Sequence, residues 1–547
     1  MTRPHFSGKR GVSGLVFLCQ LIVFGCAGTD RWYDTEDLYT TSQGAAAEEW
    51  HLQEEPPQPE LDNPPPLPLA DDTILRLSLE QAVLYSLRRN RELQVQRYTP
   101  LIQGTFEQIE RGTFDPEIFG QLQHSEETAS ETSRSTEERF SIEAEEWQAE
   151  MGVRQFLPTG TEVEAAAAHS RSTSNRTPKQ QEVRLGLSVT QALARGLGPA
   201  VNLIDVRQAE LSTRASFYEL RGYIEAMVAE VETAYWRYVL AAEGIDIFQR
   251  SLEIARQQLS EVENRIEVGV IPKNQAAAAK AEVARRQQAL IDAGSTYSER
   301  RLQLLRLLNA GGAEHLALQL QATSEPRMPT TELDDVRSHL ELAVRSRPDL
   351  NEALLRLRQD RLELVRTRNG LLPKLDLFID LGKTGYAESF ATAVHNIDQD
   401  NYDLVAGIRL SSSLGNRAAK AEHRAAGLSK LQAEAALENL KQLIRIDVLL
   451  AVNEIERTRK QIEASAVTRT LQEQTLKAEQ ERFSVGDITS LLVAQAQRDL
   501  LVSQLAEIEA IVDYRLGQVN LFLAEGSLLE RRGIRLDNAA VLLPASP

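Results

Sequence analysis

Cysteine, methionine and aromatic residues are scarce in this 547-residue chain: two Cys, four Met, four Trp and an aromatic fraction of 5%. So few aromatics argue against a compact enzyme core, and long stretches of Ala, Leu, Gln, Glu and Arg point to extended helices or coiled coils. Cys19 and Cys26 are the only thiols, so no disulfide framework is available and stability must come from packing and assembly. A formal net charge of −18 excludes a general affinity for nucleic acid. There is no metal-ligand spacing, no Gly-rich phosphate loop after a strand and no nucleophile with a nearby base, so the sequence offers no catalytic residue, metal or cofactor, and an enzyme is not expected. The eight His are scattered, and His169, His315, His339 and His423 read as surface or packing residues.

Residues 1–25 have the layout of an export signal: Arg3, Lys9 and Arg10, then an apolar run from Val12 to Phe24 interrupted by Gln20. Gly25 precedes Cys26, as in lipoprotein signals where the Cys thiol is acylated and becomes the new N-terminus. The alternative is ordinary cleavage near Ala27. Residues 26–76 are polar and rich in proline, as in "EEPPQPELDNPPPLPLA", which reads as a stiff, extended segment without a core.

Helical periodicity begins at "LSLEQAVLYSLRRNRELQVQR", where Ser78 and Gln81 have capping-box spacing. After Phe114-Asp115-Pro116 the period becomes two. Val183, Leu185, Leu187 and Val189 alternate with Arg184, Gly186, Ser188 and Thr190, and 374–383 and 402–411 alternate in the same way. Strands of about ten residues, apolar toward lipid and polar toward a lumen, would give this pattern, as would a soluble half-buried sheet. The pattern from Gly198 to Arg265, and again from Gly415 to Arg482, is helical for about 100 Å at the usual rise. Its apolar positions are spaced for coiled-coil packing.

The two long helices state one sequence twice. "RIEVGVIPKNQAAAAK" from Arg265 corresponds to "RFSVGDITSLLVAQAQ" from Arg482, an offset of 217 that also pairs Gly198 with Gly415, Ala209 with Ala426 and Tyr297 with Tyr514. The chain is a tandem duplication. Pro116 pairs with Pro373 at an offset of 257, so the first copy carries 40 additional residues. They hold two further candidate strands joined at Pro158-Thr159-Gly160. The expected strands are 116–126, 148–157, 161–169 and 183–191 in the first copy and 374–383 and 402–411 in the second. The polar stretches "SEETASETSRSTEERFSIEAE" and "RSTSNRTPKQQ" are expected as long outer loops, with an outward-projecting hairpin on a two-plus-two arrangement as the alternative.

Helix, strands, very long helix, glycine turn and returning helix, stated twice, resemble the TolC-like outer membrane efflux protein family. The resemblance runs from about Leu77 to Gly526, most specifically in "LSLEQAVLYSLRRNREL", "DNYDLVAGIRLSSSLGNRAAKAE" and "ERFSVGDITSLLVAQAQRDLLVSQL". It implies a mainly α fold with membrane β-structure: a long α-helical coiled-coil barrel joined to a trimeric transmembrane β-barrel. Its first repeat would be 77–309 with long helices 199–265 and 273–309, and its second 348–526 with long helices 415–485 and 489–525. Between them lies an irregular equatorial segment, 310–347, and after them a C-terminal tail, 527–547. By resemblance the protein is a homotrimer in outer-membrane lipid, working with a periplasmic adaptor and an inner-membrane pump as the exit duct of a tripartite efflux or type I secretion system. The competing class is a periplasm-spanning coiled coil that tethers envelope layers without transport.

The resemblance places adaptor docking at Arg265, Val268, Gly269, Val270, Ile271 and Pro272 and at Arg482, Val485, Gly486, Asp487, Ile488 and Thr489. The two glycines are expected to end one helix at a positive backbone angle, with Pro272 and Thr489 in the first turn of the next. At the gate the chain departs from the family. A Tyr and an Arg usual around the second glycine are here Phe483 and Ile488, facing Asn274 and Gln275 where a Thr and an Asp are usual. Acidic residues six and nine after Gly486 are replaced by Leu492 and Gln495. Closure is therefore expected through apolar packing. Asp487 would be either an acidic ring at the tip or a solvated turn residue.

Overall fold

The structure is a computed structural model describing residues 74–132, 139–309, 318–327, 334–399 and 401–534. The expected export signal, Cys26, the proline-rich segment, His315 and the last 13 residues lie outside the described residues. The described residues fall into two compact units, one made of Gln103–Ser212 with Arg356–Glu434 and one made of the rest.

The first unit is built on a sheet of six strands: β2 (Glu117–Thr132), β3 (Arg139–Leu157), β4 (Thr161–Ser174), β5 (Gln180–Ala192), β7 (Lys374–Ala387) and β8 (Tyr402–Ser411), in that spatial order. Every pairing is antiparallel. β3 and β4 are joined by the tight turn at residues 158–160. There Gly160 has φ +81°, and any Cβ would strike the carbonyl oxygen of Gly196. Asn202 holds the turn by donating to the carbonyls of Pro158 at 3.0 Å and Gly196 at 2.8 Å.

At the other end the strands run further than the polar composition implied. Residues 127–132 and 139–147, expected as loop, continue the β2–β3 ladder to Thr132 opposite Arg139. Alternating Ser, Thr, Ile and Phe suit a pleated surface, and Arg176 ties the hairpin end by bonding Glu131 at 2.7 Å and covering the Phe140 ring. Between β7 and β8 lie a short helix, α8 (Phe390–His395), and a 3₁₀ turn.

The second unit holds the helical core. One predicted helix at its start is two, α1 (Leu79–Arg89) and α2 (Arg91–Gly112). Ser78 and Gln81 form the expected reciprocal cap. Asn90 then leaves the helical region, and its Oδ1 accepts from the amide of Leu93 to start α2. The repeats place α3 (Pro199–Asn202) and α4 (Ile204–Glu267) before α5 (Gln275–Leu308), and α9 (Arg417–Ser484) before α10 (Ser490–Ala524). Helices α4 and α9 end 217 residues apart, the offset of the duplication. Trp236 of α4 is buried beneath Arg515 in the helix-packing core.

Two segments read as irregular are structured. Within 310–347, β6 (Gln319–Ala322) pairs in parallel with β1 (Ile74–Leu77), and α6 (Val336–Ser346) precedes α7 (Pro348–Gly370). Tyr235 of α4 fixes this small sheet by donating to the Leu77 carbonyl and accepting from the Ser324 amide. The expected tail begins with α11 (Leu528–Arg531), whose Leu528 and Leu529 enter the core. Burial of those two leucines, together with an ion pair from Arg532 to Glu232, explains why the chain does not leave the surface at residue 527.

Glu225 of α4 is buried beside Arg221, whose Nε donates to it at 3.1 Å. Burial pushes its carboxyl up to about 7, with Arg221 opposing. A raised folded pKa means the protonated form is favoured by folding. The stabilising contribution is whole below the unfolded pKa near 4.5 and is lost as pH rises through about 7. Unfolding free energy should therefore decline between pH 5 and 8, and Glu225→Gln should remove on the order of 3 kcal/mol of that decline. Denaturant titrations at the two pH values measure it; parallel pH profiles for the two proteins would contradict it.

Candidate functional site

Two structural features have functional character, one in each unit. The first is the sheet. Its register aligns Ile118, Val153, Ala165, Leu187, Leu381 and Leu404 in a single row across all six strands. The rows beside it on this face contain Met151, Ala167, Leu185 and Tyr402 on one side and Val163, Val189, Ile379 and Ala406 on the other, with Lys383 as the one charge among them. On the opposite face the corresponding row is Glu117, Arg154, Glu164, Ser188, Asp380 and Val405.

The apolar face is uncovered within its unit: Ile118 is 80% and Leu404 49% exposed. Along β7 it extends from Leu375 to Gly385, about 33 Å at the usual strand rise. At the tilt typical of membrane barrels this is close to an apolar band of about 25 Å. At its far edge Trp147 stacks on His124 with ring centres 4.3 Å apart. Beyond them the same face turns to Glu126, Glu143 and Glu145.

The polar face is organised by contacts between strands. Arg154 pairs with Glu117 at 2.8 Å and Arg184 with Asp403 at 2.6 Å. Gly382 leaves room for the second pair, because a Cβ there would push both side chains aside. Phe119 lies over Gly152 and Phe378 over Gly407, each ring topped by an arginine, Arg154 or Arg409. The rings cover backbone that glycine leaves bare. Strands β2 and β8 each pair on one side only among the described residues, so two ladders of backbone donors and acceptors end at open edges. Among the described residues no helix is long and apolar enough to cross a membrane, which says nothing of a barrel.

The second feature is the pair of turns that end α4 and α9. In the first, the amide of Val270 donates to the Arg265 carbonyl at 2.9 Å and that of Gly269 to the Ile266 carbonyl at 3.0 Å. In the second, Asp487 donates to Arg482 at 3.0 Å and Gly486 to Phe483 at 3.1 Å. This is one Schellman cap built twice, with φ +79° at Gly269 and +82° at Gly486. A Cβ at either glycine would enter open space. Substitution there strains the backbone without a clash, so Gly486→Ala should cost about 1–2 kcal/mol in local opening and Gly486→Asn less. Amide exchange across 479–490 distinguishes the two; equal protection in all three proteins would contradict it.

Val268, Val270 and Val485 project as exposed side chains. Thr489 is the N-cap of α10 without a side-chain bond. Pro272 precedes α5 rather than opening it. Its carbonyl accepts from Gln275 at 3.1 Å in a tighter turn, so the α-helix starts only at Gln275. Asp487 is exposed and paired with Arg482 at 2.9 Å within its own turn.

Of the gate candidates, the structure brings together Phe483 and Ile488. Phe483 is 3% exposed in a cluster with Val262, Ala279, Leu476, Val493 and Ala496, against which Leu259, Ile266, Ile271 and Ile488 also pack. Four pairs in this cluster are repeat counterparts: Leu259 and Leu476, Ile266 and Phe483, Ile271 and Ile488, Ala279 and Ala496. Asn274, Leu492 and Gln495 are exposed, while Gln275 is half-buried with an unpartnered Oε1. Arg265 has a role that sequence reasoning missed. It reaches across to donate to the carbonyls of Phe483 at 2.9 Å and Ser484 at 3.4 Å, and its guanidinium covers the Phe483 ring. A cation on the last carbonyls of α9 satisfies orphan acceptors and opposes the helix dipole. Its offset partner, Arg482, was the available signal.

Among the described residues no group of three His, Cys, Asp or Glu is placed to hold a metal. His339 is buried against Glu525 at 2.6 Å, and His423 contacts Thr367.

The outer membrane efflux protein family model matches residues 162–310 and 339–527. Strands β2 and β3 lie outside the matched residues. In three dimensions the chain is similar to the outer-membrane channel OprN, with 18% identity, a TM-score of 0.62 and coverage of 82% of this chain and 90% of that one. It is similar to the Campylobacter jejuni CmeC outer membrane channel, with 14% identity, a TM-score of 0.60 and coverage of 84% and 90%. It is also similar to the open state of the Neisseria gonorrhoeae MtrE outer membrane channel, with 17% identity, a TM-score of 0.58 and coverage of 82% and 89%. No curated protein matches it in sequence. The family match takes in more than half of the residues and both copies of the strand-and-long-helix unit, and the chain belongs to the outer membrane efflux protein family.

Proposed function

We propose that three copies of the chain close one β-barrel through the edges of β2 and β8, and that the assembly is the passive exit duct of a tripartite efflux or type I secretion system. The observation that carries this reading is the register of the sheet: one face apolar across six strands, the other charged, and each edge strand open on its outer side. Open strand edges are prohibitive in lipid, where no water can satisfy them, so closure must come from other copies. Three copies of six strands make eighteen, a size at which barrels leave an aqueous channel.

The turns at Val268–Pro272 and Val485–Thr489 would receive a periplasmic adaptor, with exposed valines as the apolar contact and backbone geometry held by the two glycines. An inner-membrane pump would supply cargo and energy, since a duct has no chemistry of its own. Acylation of Cys26 would anchor the mature N-terminus in lipid. Single-channel recording in a planar bilayer tests the reading: the purified protein, or Phe483→Ala with its tip cluster loosened, should give discrete conductance steps. Silence from both would favour the tether.

A further inference from the structure

A small cavity just behind the tip cluster contains polar atoms that nothing in the chain satisfies. It measures about 60 Å³ and lies between α4, α5 and α10, with Gln258, Glu282, Arg285, Gln497 and Arg498 in its wall. Gln497 is 8% exposed. The Nε2 atoms of Gln497 and of half-buried Gln258 are both shut off from solvent without an acceptor. Leaving such donors buried and unpaired is destabilising, so a polar cavity with two of them implies an occupant.

The charge around the cavity indicates which. Glu282, 6% exposed, faces Arg286 at 2.8 Å and Arg285 at 3.6 Å. Arg498 adds a third cation, bonded only to the Ala494 carbonyl at 3.4 Å. Three guanidinium groups thus meet one carboxylate. Burial lowers the pKa of Arg286, Glu282 opposes, and Arg498 and Arg285 lower it further. The duplication does not demand this arrangement: the counterparts of Glu282 and Arg286 are Asp499 and Ser503, and Ser503 simply donates to the Leu500 carbonyl.

We propose that this cavity binds one small monovalent anion of chloride size, held by the Gln258 and Gln497 amides and the Arg498 cation, and that the anion braces the start of α10 against α4 and α5. Water is the poorer occupant. A water needs roughly 10–15 Å³ and would fit, accepting from the two amides and donating to the Glu282 Oε1, which also lacks a hydrogen-bond partner, but it leaves the excess positive charge uncompensated. Helix α10 begins directly after the turn at Gly486, so whatever braces its first turns stiffens the tip.

The site lies within one protomer, while its bearing on docking rests on the tip reading above. Two measurements on the full-length protein without adaptor separate them. Crystals grown in bromide should show an anomalous peak between Gln258 and Gln497; water-like density there would overturn the site. At equal ionic strength, amide exchange across 490–498 should be several-fold slower in chloride than in gluconate, and Gln497→Leu should abolish the difference. Bromide in the cavity with identical exchange in the two salts would overturn the brace, leaving an adventitious ion only. Failure of adaptor docking would alter neither readout.

Discussion

Leu187→Arg should lower the stability of the protein in a bilayer by about 2–4 kcal/mol, while Ser188→Arg, one residue further along β5, should cost about 1 kcal/mol or less. Leu187 lies near the middle of the apolar row that runs from Ile118 to Leu404. An arginine there must carry its charge into hydrocarbon or bend toward an interface. Ser188 points to the other face, between Glu164 on β4 and Asp380 on β7, where a cation meets carboxylates and water. A soluble sheet with one face against a protein core would also penalise Leu187→Arg, but that penalty would persist in water without lipid. The distinguishing measurement is the unfolding midpoint in vesicles of increasing acyl-chain length. The cost at Leu187 should follow the depth of the site. A cost at Ser188 equal to that at Leu187 would contradict the assignment of faces.

Arg532→Ala should destabilise the helical unit by about 3–5 kcal/mol. The Nε and Nη2 of Arg532 each lie 2.6 Å from a carboxylate oxygen of Glu232, which is fully buried on α4. Burial already pushes the Glu232 carboxyl up, against the pull of Arg532 and Arg515. Without Arg532 the carboxylate must either stay charged and unpaired or take up a proton, and both cost stability. Replacing both partners by apolar residues, Glu232→Met with Arg532→Met, should recover most of the loss, because the pair's own net contribution is small once desolvation is counted. A double-mutant cycle by thermal unfolding tests this. Additive losses would mean that the two residues act separately.

Arg532 also illustrates what could not be read from the chain. It lies 300 residues from Glu232, in a stretch whose composition looks like a loose tail, and no periodicity links the two. The β1–β6 pairing was hidden for the same reason. Two four-residue strands carry too few alternations to stand out, and their partners are 245 residues apart. By contrast, the starts of the strands and the ends of the long helices that the duplication states twice were legible to within a few residues. The ends of α4 and α9, the two glycine turns and the strands flanking Pro116 and Pro373 each had an internal control.

The tip was legible in its backbone and only partly in its side chains. Positive φ at Gly269 and Gly486 follows from glycine in a helix-ending turn, which is local physics. Whether Phe483 faces an opening or a neighbouring helix depends on packing between helices that are distant in sequence. It turns into the cluster with Val262, Leu476 and Val493, covered by Arg265. The repeat offset of 217 makes Ile266 and Phe483 counterparts, but it does not say that the two pack into one cluster. Sequence alone does not choose between the two roles of Asp487, because its partner, Arg482, lies five residues before it, across the turn that brings the two together.

On the proposed reading the six-stranded sheet closes only between copies, β8 of one against β2 of the next. Disulfide trapping measures it directly: Ile118→Cys combined in turn with Leu404→Cys, Ala406→Cys and Ile408→Cys, oxidised in the native membrane and resolved on a denaturing gel. At least one combination should give dimers and trimers and nothing larger, with each cysteine alone giving none. A bond formed within a single chain, or no bond at any register, would contradict the account.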